Sequence, residues 1–194
     1  MSTRQAVRAA QVIAVGAVLV LLHGAAVAGE RAGIRMPDTI EVAKQKLILN
    51  GLGVREATIL KVNVYVAGLY LPERSKNPGE ILDRDDIKVL HMRFVRGVDR
   101  DDVVSAFSDG FKNNAGDAVP ALRPRIRQLE SWLPSFADGD TLTMTYVPGK
   151  GTFIAVNGRS KGTIEGADFA RALFAIWLGP KPPNSGLKRG LLGS

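Results

Sequence analysis

The stretch Leu47-Ile48-Leu49-Asn50-Gly51-Leu52-Gly53-Val54-Arg55 is followed closely by Leu60-Lys61-Val62-Asn63-Val64-Tyr65-Val66-Ala67-Gly68-Leu69-Tyr70-Leu71. The first stretch is apolar but broken at Asn50-Gly51 and Gly53. Glycines inside a strand pattern predict a bulged or sharply bent strand. The second stretch places Val62, Val64 and Val66 on one face and Tyr65, Ala67, Leu69 and Leu71 on the other. Two largely apolar faces predict a central strand covered on both sides. Glu56-Ala57-Thr58 between them is short enough for a hairpin connection, so the pair opens an antiparallel sheet.

Outward from this pair the pattern changes by blocks. Asn77-Pro78-Gly79-Glu80 predicts the start of a short helix ending near Asp85, and Ile87–Val95 returns to alternation. Asp99 reads as the N-cap of a helix with Asp101 and Asp102 in its first turn, where the helix dipole favours anions. Val103, Phe107 and Phe111 form that helix's apolar stripe, and Asn113-Asn114-Ala115-Gly116 closes it. A second helix is predicted from Pro120 to Leu133 on the stripe Leu122, Ile126, Leu129 and Leu133, with Pro124 as an interior bend. Strands resume at Thr141–Val147, Thr152–Asn157 and Ser160–Ile164, joined by turns at Pro148-Gly149-Lys150-Gly151 and Asn157-Gly158. A last helix is predicted over Ala167–Leu178, with Phe169, Leu173, Ile176 and Trp177 buried. Strands, helices, strands and then a helix is a segregated order. It predicts an α+β fold, a curved antiparallel sheet with helices gathered on one face.

The first 28 residues are a separate object. Arg4 and Arg8 precede an apolar run from Val12 to Leu22, which ends in Ala26-Val27-Ala28. A basic start, a short apolar stretch and an A-x-A site predict a signal peptide cleaved after Ala28, and hence a periplasmic or secreted protein. Spanning a bilayer takes about twenty apolar residues, so no integral membrane segment is expected after cleavage. Of 194 residues, 26 are Lys or Arg and 19 Asp or Glu, for a net charge of +7; removal of residues 1–28 leaves 166 residues at +5. Gly29–Pro37 reads as a flexible lead-in, residues 38–193 as one domain, and Pro180–Ser185 as a connector near its end. A domain of this size buries about 70% of its unfolded surface, so the fold can stand without disulfides.

Composition narrows the chemistry. Cysteine is absent, which excludes thiol catalysis, iron–sulfur clusters and Cys-based zinc sites. Only His23 and His91 supply imidazoles, so no metal site is expected. Gly51-Leu52-Gly53 begins a dinucleotide fingerprint, but Glu56 holds the place of its last glycine. Gly149-Lys150-Gly151-Thr152 lacks phosphate-loop spacing, and Asp83-Arg84-Asp85-Asp86 does not follow the calcium-loop pattern. No G-x-S-x-G elbow is present, and His91 in its strand reads as packed or half-exposed. No cofactor is implied. Lys and Arg are scattered, so no nucleic-acid partner is expected, and Arg123-Pro124-Arg125-Ile126-Arg127 reads as a solvated helix face.

Arg55 is the exception among the charges. It ends the bulged strand among apolar neighbours, where a guanidinium needs an anionic or carbonyl partner. One reading is a structural ion pair, with Glu56 or a helix carboxylate. The other is a ligand carboxylate or an oxyanion held by the bidentate fork.

Leu49-Asn50-Gly51-x-Gly53-Val54-Arg55 followed by Val64–Leu71 resembles the opening of the chalcone isomerase family. Asn113-Asn114, Gly139-Asp140, Pro148-Gly149-x-Gly151-Thr152, Asn157-Gly158, Ile176-Trp177-Leu178-Gly179 and Leu191-Leu192-Gly193 fit in the same order. The whole pattern is most similar to the secreted bacterial chalcone isomerase-like proteins. The resemblance implies a ligand cleft between a curved sheet and its helices. Catalytic members add a phenolate to an enone within one hydroxychalcone molecule, using a cation and hydroxyl donors for the developing enolate.

The resemblance places the catalytic arginine at Arg55 and the helix asparagine at Asn114. The family's tyrosine falls on Phe107, its strand threonine on Tyr65, and its late threonine on Ile176. Phe107 donates no hydrogen bond, and losing one such donor typically raises the barrier by about 2.7–4 kcal/mol. Tyr65 is the available substitute hydroxyl. Non-catalytic relatives resemble fatty-acid binders in which the same arginine holds a carboxylate. The leading expectation is a protein that binds a small amphipathic or fatty-acid-like ligand at Arg55, Tyr65, Phe107, Asn114 and Ile176. The alternatives are an isomerase (intramolecular lyase) for a phenolic enone, with Arg55 and Asn114 catalytic, and a non-catalytic cell-envelope interaction module whose cleft is filled by side chains.

Overall fold

The computed structural model describes residues 29–57 and 62–194; the leader expected at 1–28 and part of the first hairpin connection fall outside them. A small hairpin, β1 (Gly29–Arg31) with β2 (Ile34–Met36), comes first. The main sheet follows as β3 (Thr39–Val42), β4 (Gln45–Ala57), β5 (Val62–Leu71), β6 (Lys88–Phe94), β7 (Thr141–Val147), β8 (Gly151–Val156) and β9 (Arg159–Ile164). These seven strands form an antiparallel meander in sequence order. The helices are α1 (Pro78–Asp83), α2 (Arg100–Ala115), α3 (Val119–Trp132), α4 (Ala167–Leu178) and α5 (Ser185–Leu191). Among the described residues no helix is long and apolar enough to cross a membrane.

Strand alternation divides the interior in two. Tyr65, Ala67 and Leu69 of β5, Leu90, Met92 and Phe94 of β6, and Leu142, Met144 and Tyr146 of β7 pack in one cluster with α2, α3 and α4. The opposite face carries Leu49, Leu52, Val66, Tyr70 and Val89, covered by Met36 and Ile40 from the chain's start. β5 is therefore buried on both faces, as its two apolar stripes imply. β4 is bulged between Leu49 and Gly51 and again between Arg55 and Glu56.

Several local expectations meet a different outcome. The lead-in at 29–37 carries the β1–β2 hairpin, because Met36 and Ile34 find the apolar outer face of β4 and β5. Past the connector at Pro180–Ser185 lies α5, whose Leu187 and Leu191 are fully buried. Asp99 is the N-cap of α2 but makes no side-chain cap bond. Asn77 does cap α1, its Oδ1 accepting from the N–H groups of Gly79 at 3.0 Å and Glu80 at 3.3 Å. Pro124 lies within α3 without ending it; as the sixth residue it deprives only the Pro120 carbonyl, in the helix's first turn, of an i+4 donor. Arg125 leaves the solvated face expected of its cluster and forms a bidentate pair with Asp168, at 2.7 and 2.6 Å. This pair ties α3 to the first turn of α4 and holds the Asp168 carboxyl below its ordinary range.

Candidate functional site

The site grows out of alternation along β4. On the helix-facing side, Gly51 stands opposite Leu69, Gly53 opposite Ala67, and Arg55 opposite Tyr65. A Cβ at Gly51 would lie 2.2 Å from the Gly190 carbonyl oxygen, and one at Gly53 would lie 2.3 Å from that of Leu187. The two glycines thus let the backbone of α5 rest directly on the strand. Arg55 is the next residue on that face and the first after the two glycines to carry a side chain.

Asn50, just before these positions, is buried and committed to structure. Its Nδ2 donates to the carbonyls of Ser75 at 3.0 Å and Leu191 at 2.8 Å, and its Oδ1 accepts from the Ser75 N–H at 2.8 Å. It therefore joins the C-terminal segment to the loop after β5. Asp140 and Asn157 do similar work elsewhere: Asn157 Nδ2 donates to Asp140 Oδ1 at 2.9 Å and its Oδ1 accepts from Thr141 N–H at 2.7 Å. Much of the quoted sequence pattern is explained by such fastenings.

Arg55 is fastened less firmly. Its Nη1 donates to the backbone carbonyl of Glu56, and no carboxylate pairs with it among the described residues. The internal ion pair is not formed; Glu56 receives the guanidinium through its main chain. Tyr65, across the ladder, accepts a hydrogen bond at 3.0 Å from Trp177 Nε1 on α4. Burial pushes the Tyr65 hydroxyl up to about 12, partly offset by the Trp177 bond and by the positive charge of Arg55. The phenol is thus a neutral group at physiological pH, with its own proton available to an acceptor.

Aromatic rings close the space around it. Trp177 meets Phe107 edge to face at 5.6 Å, and Tyr65 meets Phe94 in the same manner at 5.6 Å. Phe94 in turn stacks on Phe136 at 4.0 Å. Ile176 is buried and packs on α2 where Gly110 leaves room, since a Cβ there would lie 2.6 Å from Ile176 Cγ2.

Asn114 has a different role. Its Nδ2 donates to the carbonyls of Gly110 at 3.0 Å and Lys181 at 2.9 Å, and its Oδ1 accepts from the Lys181 N–H at 2.9 Å. It fixes the chain after α4 against α2. Tyr65 and Phe107 meet at Trp177, with Arg55 opposite Tyr65 across the ladder, while the Asn114 amide is occupied by backbone. Trp177 is the member that sequence reasoning left in an apolar stripe. A buried indole N–H needs an acceptor, and Tyr65 on the inner face of β5 was the signal that one stood opposite.

A curved antiparallel meander with helices on one face, and an arginine at the end of a bulged strand beside a buried phenol, defines the architecture of a chalcone isomerase-like protein. The chain belongs to that family, whose sequence pattern, described as chalcone isomerase-like, matches residues 28–193. Among solved structures it is similar to a fatty-acid binding protein of Arabidopsis thaliana, with a TM-score of 0.66 and 16% identity over 86% of this chain and 95% of that one. At that identity the likeness concerns the fold. No curated protein matches the sequence.

Proposed function

We propose that the protein binds a small amphipathic, fatty-acid-like ligand, with the ligand's anionic end held by Arg55. The observation that carries this reading is a half-buried arginine with no carboxylate partner among the described residues, next to a neutral phenol. A carboxylate there gains charge-assisted bonds from the guanidinium, and the Tyr65 hydroxyl adds a second donor. The fatty-acid binding protein that shares the fold makes a long-chain carboxylate the first ligand to test. The leader sequence supports a periplasmic or secreted location.

An acyl chain entering below Arg55 parts Phe107 from Trp177. That contact is worth about 0.5–1.5 kcal/mol, and each buried methylene contributes about 0.8 kcal/mol. A tail longer than a few carbons offsets the displacement. The reading is tested by native mass spectrometry of the purified protein and by titration with a fluorescent fatty acid, following Trp177 emission. Absence of bound lipid, together with unchanged affinity in Arg55→Ala, sinks it.

A second reading, a non-catalytic envelope interaction module, has one observation in its favour: Phe107, Ile176 and Trp177 are 6%, 2% and 2% exposed and pack on one another or on α2. Saturable lipid binding excludes it. The isomerase alternative has less support, because Phe107 offers no hydroxyl and the Asn114 amide is taken by backbone groups. A turnover screen on chalcones decides it.

A further inference from the structure

Gly29, the first residue of β1, is pinned from two sides. It stands opposite Met36 in the β1–β2 ladder. A Cβ on it would lie 2.9 Å from Leu52 Cδ1 and 3.0 Å from Leu49 Cδ2 of β4. A glycine lets the strand rest this close without displacing the two leucines. In an antiparallel pair, continuing from Gly29 towards the N-terminus is continuing from Met36 towards Pro37 and Asp38. The Gly29 nitrogen therefore lies at the end of the ladder that Asp38 adjoins.

Asp38 is half-buried, and no cation pairs with its carboxylate among the described residues. It lines the same cavity of about 700 Å³ as Gly29. The Tyr70 hydroxyl donates to the Pro37 carbonyl at 3.0 Å and is raised by burial and then by the Asp38 charge, so this carboxylate lies close to covered structure. Arg31, Arg74 and Lys76 also line the cavity, but all three are exposed and would lose side-chain freedom in reaching an acid. Of the other acids there, Glu30 is bound to Arg35 at 2.7 Å, and Ser194 is exposed at the chain's end.

We propose that removal of the leader after Ala28 creates the partner Asp38 lacks: the new Gly29 ammonium pairs with Asp38 and locks the β1–β2 hairpin onto β4 and β5. The leader peptidase adds water across the Ala28–Gly29 bond, leaving a carboxylate on the departing leader and an ammonium on Gly29. Before cleavage the same nitrogen is an uncharged amide. An ammonium carried by a paired strand has no side-chain rotamers to freeze, which favours it over the exposed cations. Ile34 and Met36, which the hairpin lays on the outer face of the sheet, are then held in full only in the processed protein. Closure of that face is thereby tied to loss of the leader.

The test compares the protein processed in a bacterial periplasm with its Asp38→Asn variant and with the same protein acetylated selectively at the Gly29 amine. Intact mass should place the N-terminus at Gly29. The α-amine, followed by NMR, should titrate above its ordinary range of about 7.7–8.0 and return to that range in Asp38→Asn. Amide exchange in the β1–β2 hairpin should quicken about fivefold in both altered proteins. Exchange at Leu90 and Met144 in the core, and affinity for a fluorescent fatty acid, should stay unchanged. A different N-terminus overturns the proposal, as does an α-amine that titrates in its ordinary range or hairpin exchange unaffected by acetylation. Faster exchange in Asp38→Asn with an ordinary α-amine assigns Asp38 to another partner, such as Arg74 or Lys76, and overturns it too.

Discussion

At Asn50 each polar atom of the side chain meets a backbone partner, and the two glycines that follow it, Gly51 and Gly53, rest against the carbonyls of α5. Five residues along the same strand, Arg55 meets one carbonyl and lies beside a phenol whose proton is unspent. The first end of β4 is over-determined: removing any one group leaves others stranded. The second end holds a charge that the rest of the fold does not consume. Unspent polar capacity next to an apolar interior is what a binding site requires and what a core cannot tolerate. The contrast makes graded predictions, because substitutions should lose stability at one end and binding at the other.

Gly51→Val should have the largest effect. Its Cβ would stand 2.2 Å from the Gly190 carbonyl oxygen and 2.7 Å from the Gly193 nitrogen, both main-chain atoms that cannot rotate away. Displacing α5 uncovers Leu187 and Leu191, so a loss of about 3 kcal/mol or more in urea denaturation is expected. A loss below about 1 kcal/mol would mean that α5 is not seated on the strand and would dissolve the comparison at its closed end.

Asn50→Leu comes next. It removes three hydrogen bonds and leaves the Ser75 and Leu191 main-chain groups without the partner they share. A cost of about 2–3 kcal/mol is expected, read from the shift in urea midpoint at unchanged m-value.

Tyr65→Phe tests the middle of the comparison. The Trp177 indole N–H loses its acceptor in a buried setting, for a cost of about 1–2 kcal/mol and a change in tryptophan emission. The pH dependence has a definite sign. With the folded value raised from 10.0 to about 12, the fold favours the neutral phenol. That contribution is complete below pH 10 and is lost as pH rises from 10 towards 12. Urea midpoints of the wild type should therefore fall across this window, and those of Tyr65→Phe should fall less. Burial also raises Tyr70 and Tyr146, the chain's other two tyrosines, so some alkaline loss remains in the variant.

The meander was legible because its signals are local. Thr141–Val147 and Ala167–Leu178 have the bounds their alternation and helical stripe imply. Gly29–Arg31, Ile34–Met36 and Ser185–Leu191 were not legible, since each is too short to show a period and is held by distant residues. The site divides in the same way. Arg55 stood out as a charge among apolar neighbours, and Tyr65 through the family resemblance; their cross-strand pairing depends on a register that the bulges between β4 and β5 conceal from the sequence. Asn114 carried no local sign that Lys181, far along the chain, would take both ends of its amide. Trp177 was hidden because an indole on an apolar stripe is indistinguishable from core until the acceptor opposite it is placed.

Arg55→Ala should show the smallest effect on stability and the sharpest effect on binding. The side chain surrenders one bond to a main-chain carbonyl and no ion pair, so the urea midpoint should move by no more than about 0.5 kcal/mol equivalent. Affinity for a fluorescent fatty acid should fall about tenfold or more, the value of a charge-assisted bond to a carboxylate. Arg55→Lys separates charge from geometry. An ammonium keeps the attraction but not the planar fork, so its affinity should lie between those of the wild type and the alanine variant. If Arg55→Ala instead unfolds the protein as readily as Asn50→Leu does, the two ends of β4 are both structural. The unpaired guanidinium would then belong to the core, and the ligand would have to be sought elsewhere on the fold.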